Sequence, residues 1–404
     1  MLRSVKNLYL EAYSGLPREA WLLSLVMLIN RSGTMVLVFL SLYLTVQKGF
    51  STVEAGRLIG LFGFGSMIGC LLGGWLCDRI GALRIQFISL FFGGLGFIIL
   101  GYMDSGLSIA LALFFSAIVN ESLRPANITA MTHVCSPELM ARGFALNRLA
   151  LNLGMAVGPA MGGFLVMLNY SYLFWIDGLT CIFASFVLLY FFRRLDIGIQ
   201  SDTQNSVNAK NPLRDGFYLF LLLIMLSIGL VFSQVFSTWT LYLKKFSGLF
   251  EYHIGLLMTL NTLMITAVEM PLIHKTEKYG ALKMIRIGTV FLFAGFAVLP
   301  LSSGLLWAAF TVFIWTIGEM LVFPLIGSFI ARRAPAVNRG KYMALYTLTF
   351  SVSHVIGPVA GTYIYDTLHP DAVWYFAGGL GILAVTGLTY AERINVRKHD
   401  SKSG

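Results

Sequence analysis

The chain has 404 residues, of which 57% are hydrophobic and only 12% are charged, roughly half the charge density of an ordinary soluble domain. That balance excludes a water-soluble globular protein. The net charge of +10 would suit a nucleic-acid partner, but the placement of the basic residues follows membrane topology instead, and no nucleic acid is expected.

A helix crossing a bilayer needs about 20 predominantly apolar residues, with each backbone polar group satisfied within the segment. From the N-terminus onward such runs occur at Trp21–Val46, Thr52–Cys77, Leu83–Met103, Gly106–Val134, Gly143–Leu168 and Tyr172–Phe192. They continue at Phe217–Phe246, Tyr252–Lys275, Leu282–Ser302, Leu305–Arg333, Lys341–Thr367 and Ala372–Ala391. Hydropathy therefore predicts an all-α membrane protein with 12 transmembrane helices. A polar stretch, Asp196 to Asp215, separates the sixth run from the seventh. It divides the chain into residues 1–195, a linker at 196–215, and residues 216–404 with a short tail.

With the runs alternating in direction, most basic residues gather on one side, among them Arg3, Lys6, Arg79, Arg84, Arg142, Arg193, Arg194, Lys210, Lys278, Arg333, Arg393 and Lys398; Lys48, Arg57, Lys244 and Lys245 fall opposite. The excess of positive charge predicts that both termini are cytoplasmic, in a multi-pass protein of a bacterial-type inner membrane. The four cysteines, Cys70, Cys77, Cys135 and Cys181, lie in runs or near their cytoplasmic ends, so no disulfide is expected. The first run is too long for a cleavable signal peptide and lacks a small-residue cleavage site.

The two halves repeat one another. Asp78-Arg79-Ile80-Gly81-Ala82-Leu83-Arg84, after the second run, matches Glu277-Lys278-Tyr279-Gly280-Ala281-Leu282-Lys283, after the eighth, at an offset of 199 residues (277 − 78). The same offset relates Leu42-Tyr43-Leu44 to Leu241-Tyr242-Leu243, Pro125 to Pro324, Gly158-Pro159 to Gly357-Pro358, and Trp175 to Trp374. A constant, gapless offset between two sets of six helices implies parallel repeats related by an axis along the membrane normal.

The loop Gly74-Trp75-Leu76-Cys77-Asp78-Arg79-Ile80-Gly81-Ala82-Leu83-Arg84 resembles the motif between helices two and three of the major facilitator superfamily. The resemblance covers essentially the whole chain. It implies two six-helix bundles around a central cavity, which rock to open that cavity to each side in turn. Asp78, Arg79, Gly81 and Arg84, with Glu277 and Lys278 in the repeat, are then gating residues that make contacts in one access state and break them in the other. Gly154, Gly158, Pro159 and Gly162 in the fifth run look like the motif of that superfamily's drug:proton antiporters, the group the chain resembles most. Small residues four apart also form a helix-packing face with no bearing on transport direction, and Gly357 and Pro358 repeat the pattern. Those antiporters commonly carry an arginine in the fourth helix well ahead of the proline that is here Pro125; this chain has Phe114 at about that place.

Ionisable residues within the runs are costly unless paired or facing water, which makes them functional candidates. Glu121 and Arg124 share a helix face, and Arg31, with Asn30 beside it, lies at a similar depth. Together they either line a cavity and bind substrate or only hold two helices together. Glu319 and Glu269 are the second-half acids; at the repeat offset they correspond to Asn120 and Cys70, so neither belongs to a shared scaffold. An acid removed from bulk water is poised to take up and release a proton during turnover, which makes Glu121, Glu319 and Glu269 the proton-coupling candidates. Trp315 and Gln234 are further candidates to contact substrate. Asp177, near the outer end of the sixth run and within reach of headgroup water, reads as structural, as do His133 and His354.

No nucleophile–base pair, metal-ligand cluster or Walker-type loop is legible, so neither an enzyme nor ATP-driven transport is expected. The expected function is proton-coupled export of small amphipathic compounds. The alternatives are proton-coupled movement of a specific anionic solute such as a metabolite, peptide or metal chelate, and a receptor or scaffold that does not transport. Expected partners are the small-molecule substrate, protons and the lipid bilayer, with the chain acting as a monomer and using no cofactor or metal.

Overall fold

The computed structural model describes residues 15–136, 139–192, 212–276, 278–334 and 339–403. Glu277, the basic residues Arg3, Lys6, Arg193, Arg194 and Lys210, and the linker before Pro212 lie outside them. Among the described residues, 12 helices are long and apolar enough to cross a membrane. They are span 1 Arg18–Gln47, span 2 Thr52–Ile80, span 3 Ala82–Leu100, span 4 Gly106–Val134, span 5 Arg142–Leu168 and span 6 Ser171–Phe192. The second six are span 7 Gly216–Phe236, span 8 Glu251–Thr276, span 9 Ala281–Leu301, span 10 Leu305–Arg333, span 11 Lys341–Thr367 and span 12 Ala372–Ile394. Each falls on one of the apolar runs.

Spans 1 and 7 are broken at corresponding places, which hydropathy does not reveal. Span 1 is helical over Arg18–Ser32, breaks at 33–35, resumes at Val36–Leu42 and ends in a π-helical turn, Tyr43–Gln47. Span 7 is helical over Gly216–Phe232, tightens to a 3₁₀ turn at Ser233–Phe236, and leaves the helical region at Ser237 (φ −138°, ψ −90°) before Thr238–Lys245. The repeat offset carries 33–35 onto 232–234, so both halves interrupt the same helix at the same depth. Gly33 marks the first place, and Ser233 and Ser237 mark the second, all weak helix formers.

The turns out of these spans also repeat. Gly49 and Gly248, 199 apart, hold φ of +72° and +66°, a left-handed conformation that glycine adopts at no steric cost. Each lets the next residue reach back over the helix end: Phe50 N–H donates to Leu44 O, and Leu249 N–H to Leu243 O, both at 3.0 Å. The following span starts with a side-chain acceptor for the backbone, Glu54 Oε2 for Ser51 N–H at 2.9 Å and His253 Nδ1 for Phe250 N–H at 3.2 Å.

The chain forms two compact units, Met1–Leu37 with Gly65–Asp202, and Val38–Phe64 with Thr203–Gly404. In the first, span 3 packs on spans 4 and 6, and the first helix of span 1 packs on spans 5 and 6. Gly65, Gly69 and Gly73 bring span 2 onto the backbone of span 4 at Phe114, Ile118 and Ser122. In the second, span 9 packs on spans 10 and 12, span 7 on spans 11 and 12, and span 8 on span 10, the same pairings shifted by six helices. The second unit also holds a contact that only a repeat produces: Ser41 Oγ lies 2.7 Å from Thr240 Oγ1, 199 residues away. Equivalent residues of two halves meet each other only on the axis that relates them.

Candidate functional site

In the first unit the polar residues converge on the break in span 1. The break leaves the backbone N–H groups of Met35 and Val36 without helical partners. Asp177 of span 6 supplies one, its Oδ2 accepting from them at 3.2 and 3.1 Å. Asp177 is buried, 2% exposed, so it does not reach headgroup water as its sequence position suggests. Its carboxylate faces the positive end of a short helical segment. Cys181, one turn on, lies 3.8 Å from Asp177 Oδ1 and accepts from Asn30 Nδ2 at 3.2 Å. Asn30, a sequence candidate for substrate contact, is thereby buried and committed to span 6.

Arg31 follows Asn30 at the last turn before the break and is partly buried. The charges bearing on its guanidinium are Glu121 first, then Arg124, with Asp177 behind them. Glu121 and Arg124 form an ion pair across one helical turn, Oε2 to Nη2 at 3.4 Å, in which the Arg124 side chain is 57% exposed and Glu121 19%. The pair stands where span 4 is interrupted, between its helices Gly106–Glu121 and Leu123–Val134. Pro125 accounts for the interruption, since it has no N–H to give the Glu121 carbonyl. Sequence reasoning thus brings together residues that the structure also brings together, two cations and one acid, and Asp177 adds the second acid.

Gly154 and Gly158 determine how closely this region packs. A Cβ on Gly154 would lie 2.6 Å from Arg31 Cβ, and one on Gly158 would lie 2.7 Å from Thr34 O and 3.0 Å from Arg31 O. Span 5 therefore rests on the backbone of span 1 at the break itself. In the second unit a Cβ on Gly357 would clash with Ser233 Oγ and lie 3.1 Å from Leu230 O, and one on Gly361 would overlap the Gln234 side chain. The Gln234 amide is consumed locally: Nε2 donates to Gly357 O at 2.8 Å and Leu230 O at 2.9 Å, while Oε1 accepts from Thr238 Oγ1 at 2.8 Å. Asp177 serves two N–H groups at the break of span 1 from a neighbouring helix, and Gln234 serves one carbonyl, Leu230 O, beside the break of span 7 from within.

The second unit carries an acid on an aromatic face. Glu319 of span 10 accepts from Asn261 Nδ2 of span 8 at 2.8 Å, and the same amide reaches Thr316 Oγ1 at 3.0 Å. Trp315 and Phe323, four residues to either side of Glu319, lie on its helix face. Phe232 of span 7 packs edge-on against both, with ring centroids 6.1 Å from Trp315 and 5.0 Å from Phe323. Phe323 meets Phe350 of span 11 at 5.3 Å, and Phe350 meets His354 at 5.3 Å. His354 Nδ1 is 2.9 Å from Phe350 O. Trp315 is itself core, 1% exposed and stacked on Phe296 at 5.4 Å, with no hydrogen-bond partner for its indole N–H. Glu269 is buried farther along span 8, two residues before Pro271.

Of the loop residues, Asp78, Arg79 and Arg84 are exposed. The Arg79 guanidinium lies 4.0 Å from the Trp75 ring centroid, and Gly81 turns the chain at φ +92°. Lys278 sits over the Tyr279 ring at 5.1 Å.

Comparison with known proteins places this architecture. The profile of the Major Facilitator Superfamily matches residues 20–336 and 250–403. "Uncharacterized MFS-type transporter YqjV" of Bacillus subtilis (strain 168) is 24% identical over 95% of this chain and 96% of its own. "Multidrug resistance protein MdtH" of Aeromonas hydrophila is 22% identical over 90% of this chain and 92% of its own. The fold also matches the crystal structure of a peptide transporter POT in complex with sulfate, with a TM-score of 0.80 at 17% identity, covering 95% of this chain and 96% of that one. This chain is a multi-pass membrane transporter rather than an enzyme, and it belongs to the major facilitator superfamily.

Proposed function

We propose that this transporter exports amphipathic organic compounds, lipophilic cations foremost, in exchange for protons. It works in a bacterial inner membrane with both termini cytoplasmic, and its sequence halves, residues 1–195 and 216–404, are the bodies that rock. The observation that carries the reading is Glu319: a carboxylate in a long apolar span, held at 2.8 Å by the neutral amide of Asn261, with the partly exposed rings of Phe323 and Phe350 along the same face and Trp315 buried behind them. Aromatic faces and a carboxylate together attract an organic cation. Protonation removes the charge and with it most of that attraction, so a proton and a cation compete for one group. The similarity to a relative named as a multidrug resistance protein supports the same reading. Glu121 is the second proton carrier, Glu269 a third candidate, and Asp78, Arg79, Gly81, Arg84 and Lys278 serve the gates.

The test is transport in proteoliposomes under an imposed pH gradient, with a fluorescent lipophilic cation as cargo. Glu319→Gln, which keeps the shape and the contact to Asn261, is expected to lower gradient-driven transport by about 100-fold or more, the scale of losing a buried charged partner. Asn261→Ala leaves the acid and is expected to shift the pH dependence of transport. Gradient-driven transport by folded Glu319→Gln at the wild-type rate would sink the proposal.

A second reading, coupled transport of a specific anionic solute, rests on Arg124, whose side chain remains 57% exposed while paired with Glu121 and so offers donors to a carboxylate. Here Arg124→Gln would abolish transport of one defined organic acid, and Glu319→Gln would not affect cation export because there would be none.

A further inference from the structure

We propose that the cleft between spans 2 and 11 is a binding site for a membrane phospholipid, in which Arg57 holds the headgroup phosphate and the cleft takes an acyl chain. The cleft has a volume of about 490 Å³, within the range of about 300–1,000 Å³ that seats a drug-sized ligand. Val53 and Arg57 of span 2 form one wall, and Ile356, Val359, Ala360 and Tyr363 of span 11 the other. Apart from Arg57 and the hydroxyl of Tyr363, these side chains offer only hydrocarbon.

The cleft is a groove with a closed floor. A Cβ on Gly60 would lie 2.6 Å from Val359 Cγ2 and 2.9 Å from Val355 O, and one on Gly63 would lie 2.9 Å from the His354 carbonyl carbon. Gly56 lies as tightly against Thr362. Span 2 thus runs down span 11 with its backbone in contact behind the groove. The register also gives the groove a direction. Arg57 and Tyr363 lie at the end where span 2 begins, and Ile356 lies about 10 Å deeper, seven residues along a helix.

Arg57 is exposed, five residues into a membrane-spanning helix, where a guanidinium bends back to the headgroup level and needs an anion there. Glu54, one turn earlier, lies close enough for its charge to act on Arg57, but its Oε2 accepts from the N–H and Oγ of Ser51 at 2.9 and 2.8 Å as the cap of span 2, which leaves the guanidinium donors for a second anion. The half-exposed ring of Tyr363, 59% exposed, suits the same interfacial depth. An exposed guanidinium at the mouth of a hydrocarbon groove, at phosphate depth, matches one common membrane component: a lipid with a phosphodiester head and an acyl tail. A lipophilic cation has the wrong sign for it, so this site is separate from the cargo surface around Glu319.

Native mass spectrometry of the full chain in detergent, titrated with phosphatidylglycerol and with diacylglycerol, tests the proposal. Wild type is expected to retain one phosphatidylglycerol and to bind diacylglycerol about tenfold more weakly, the loss of one charge-assisted contact. Arg57→Gln is expected to weaken phosphatidylglycerol by about the same factor, and Arg57→Lys by less. Ala360→Trp, at an exposed position, fills the groove and is expected to displace the lipid while Arg57 stays in place; Ile356→Phe is the substitute if that variant unfolds, as read by its thermal transition in the same detergent. Equal retention of phosphatidylglycerol by wild type, Arg57→Gln and the filled-groove variant would overturn the site. So would a loss with Arg57→Gln but none with the filled groove, since the phosphate would then be held without the acyl seat.

Discussion

Asp215 is the last residue before span 7, and its carboxylate ties three elements together. Oδ1 accepts from Tyr218 N–H at 3.1 Å, capping the helix. Both oxygens accept from Arg333 Nη2, at the end of span 10, at 3.1 Å, and Tyr342 Oη of span 11 approaches Oδ2 at 3.4 Å. Burial alone would push this carboxyl up, but the hydrogen bonds from Arg333 and Tyr218 and the charge of Arg333 outweigh it and hold it below the ordinary carboxylate range. A carboxyl whose folded value lies below its unfolded one contributes stability that is present above about pH 4 and lost as pH falls through the folded value. Arg333→Gln removes the main partner. Its thermal transition in detergent is expected to fall at neutral pH and to lose less than wild type on acidification below about pH 4. Asp215→Asn keeps an acceptor for the cap and is expected to cost about as much as Arg333→Gln, with the double variant no worse than either, because the two share one interaction. Parallel acid profiles for wild type and Arg333→Gln would show that the pair does not set the pH response. From the sequence, Asp215 reads as the end of a polar linker and Arg333 as a topology charge. Their partnership spans 118 residues, and no local pattern encodes it.

Helices and their contacts were legible to different degrees. The spans follow from apolar runs, because a segment's affinity for the bilayer is a property of its own residues. The glycines of spans 5 and 11 were legible as close-packing positions, since spacing by four puts them on one face. What they pack against was not, and neither were the breaks in spans 1 and 7, where Asp177 takes the N–H groups of Met35 and Val36 and Gln234 gives a donor to Leu230 O. Asp177 looked peripheral for the same reason: its role is defined by Met35 and Val36, on another helix. The spacing does allow a graded test. Gly158→Leu would drive a side chain into the carbonyls of Thr34 and Arg31, and Gly357→Leu into Ser233 and Leu230 O. Backbone cannot step aside as a side chain can, so each is expected to destabilise by at least about 1–3 kcal/mol, read as a lower thermal transition in detergent. Gly74→Ala is the control, since its nearest neighbour would be Pro125 Cβ at an ordinary 4.0 Å. Unchanged stability of Gly158→Leu would mean that span 5 does not rest on the break of span 1.

The repeat supplies its own test of how the molecule works as a whole. Ser41 and Thr240 are equivalent positions of the two sequence halves, both fully buried and 2.7 Å apart between hydroxyl oxygens, with Ser41 Oγ also donating to Ser237 O at 3.1 Å. This contact on the pseudo-two-fold axis joins one half to the other, alongside those that span 2 makes with span 11. If the halves rock against each other during turnover, a pair lying at this end of spans 1 and 7 must separate in the opposite access state, and its hydroxyls must exchange each other for other partners. Cysteines at both positions would have sulfur atoms close enough to bridge. In a background where Cys70, Cys77, Cys135 and Cys181 are replaced by alanine, oxidation of Ser41→Cys/Thr240→Cys is expected to join the halves, so that cleavage at a protease site inserted in the linker leaves one band instead of two. Transport by the oxidised protein is expected to fall to the level of empty liposomes and to return on reduction. Each single-cysteine variant, treated the same way, should keep its activity. A bridged protein that still transports at the reduced rate would show that this contact stays closed throughout the cycle, and that the halves do not part at the axis where their equivalent residues meet.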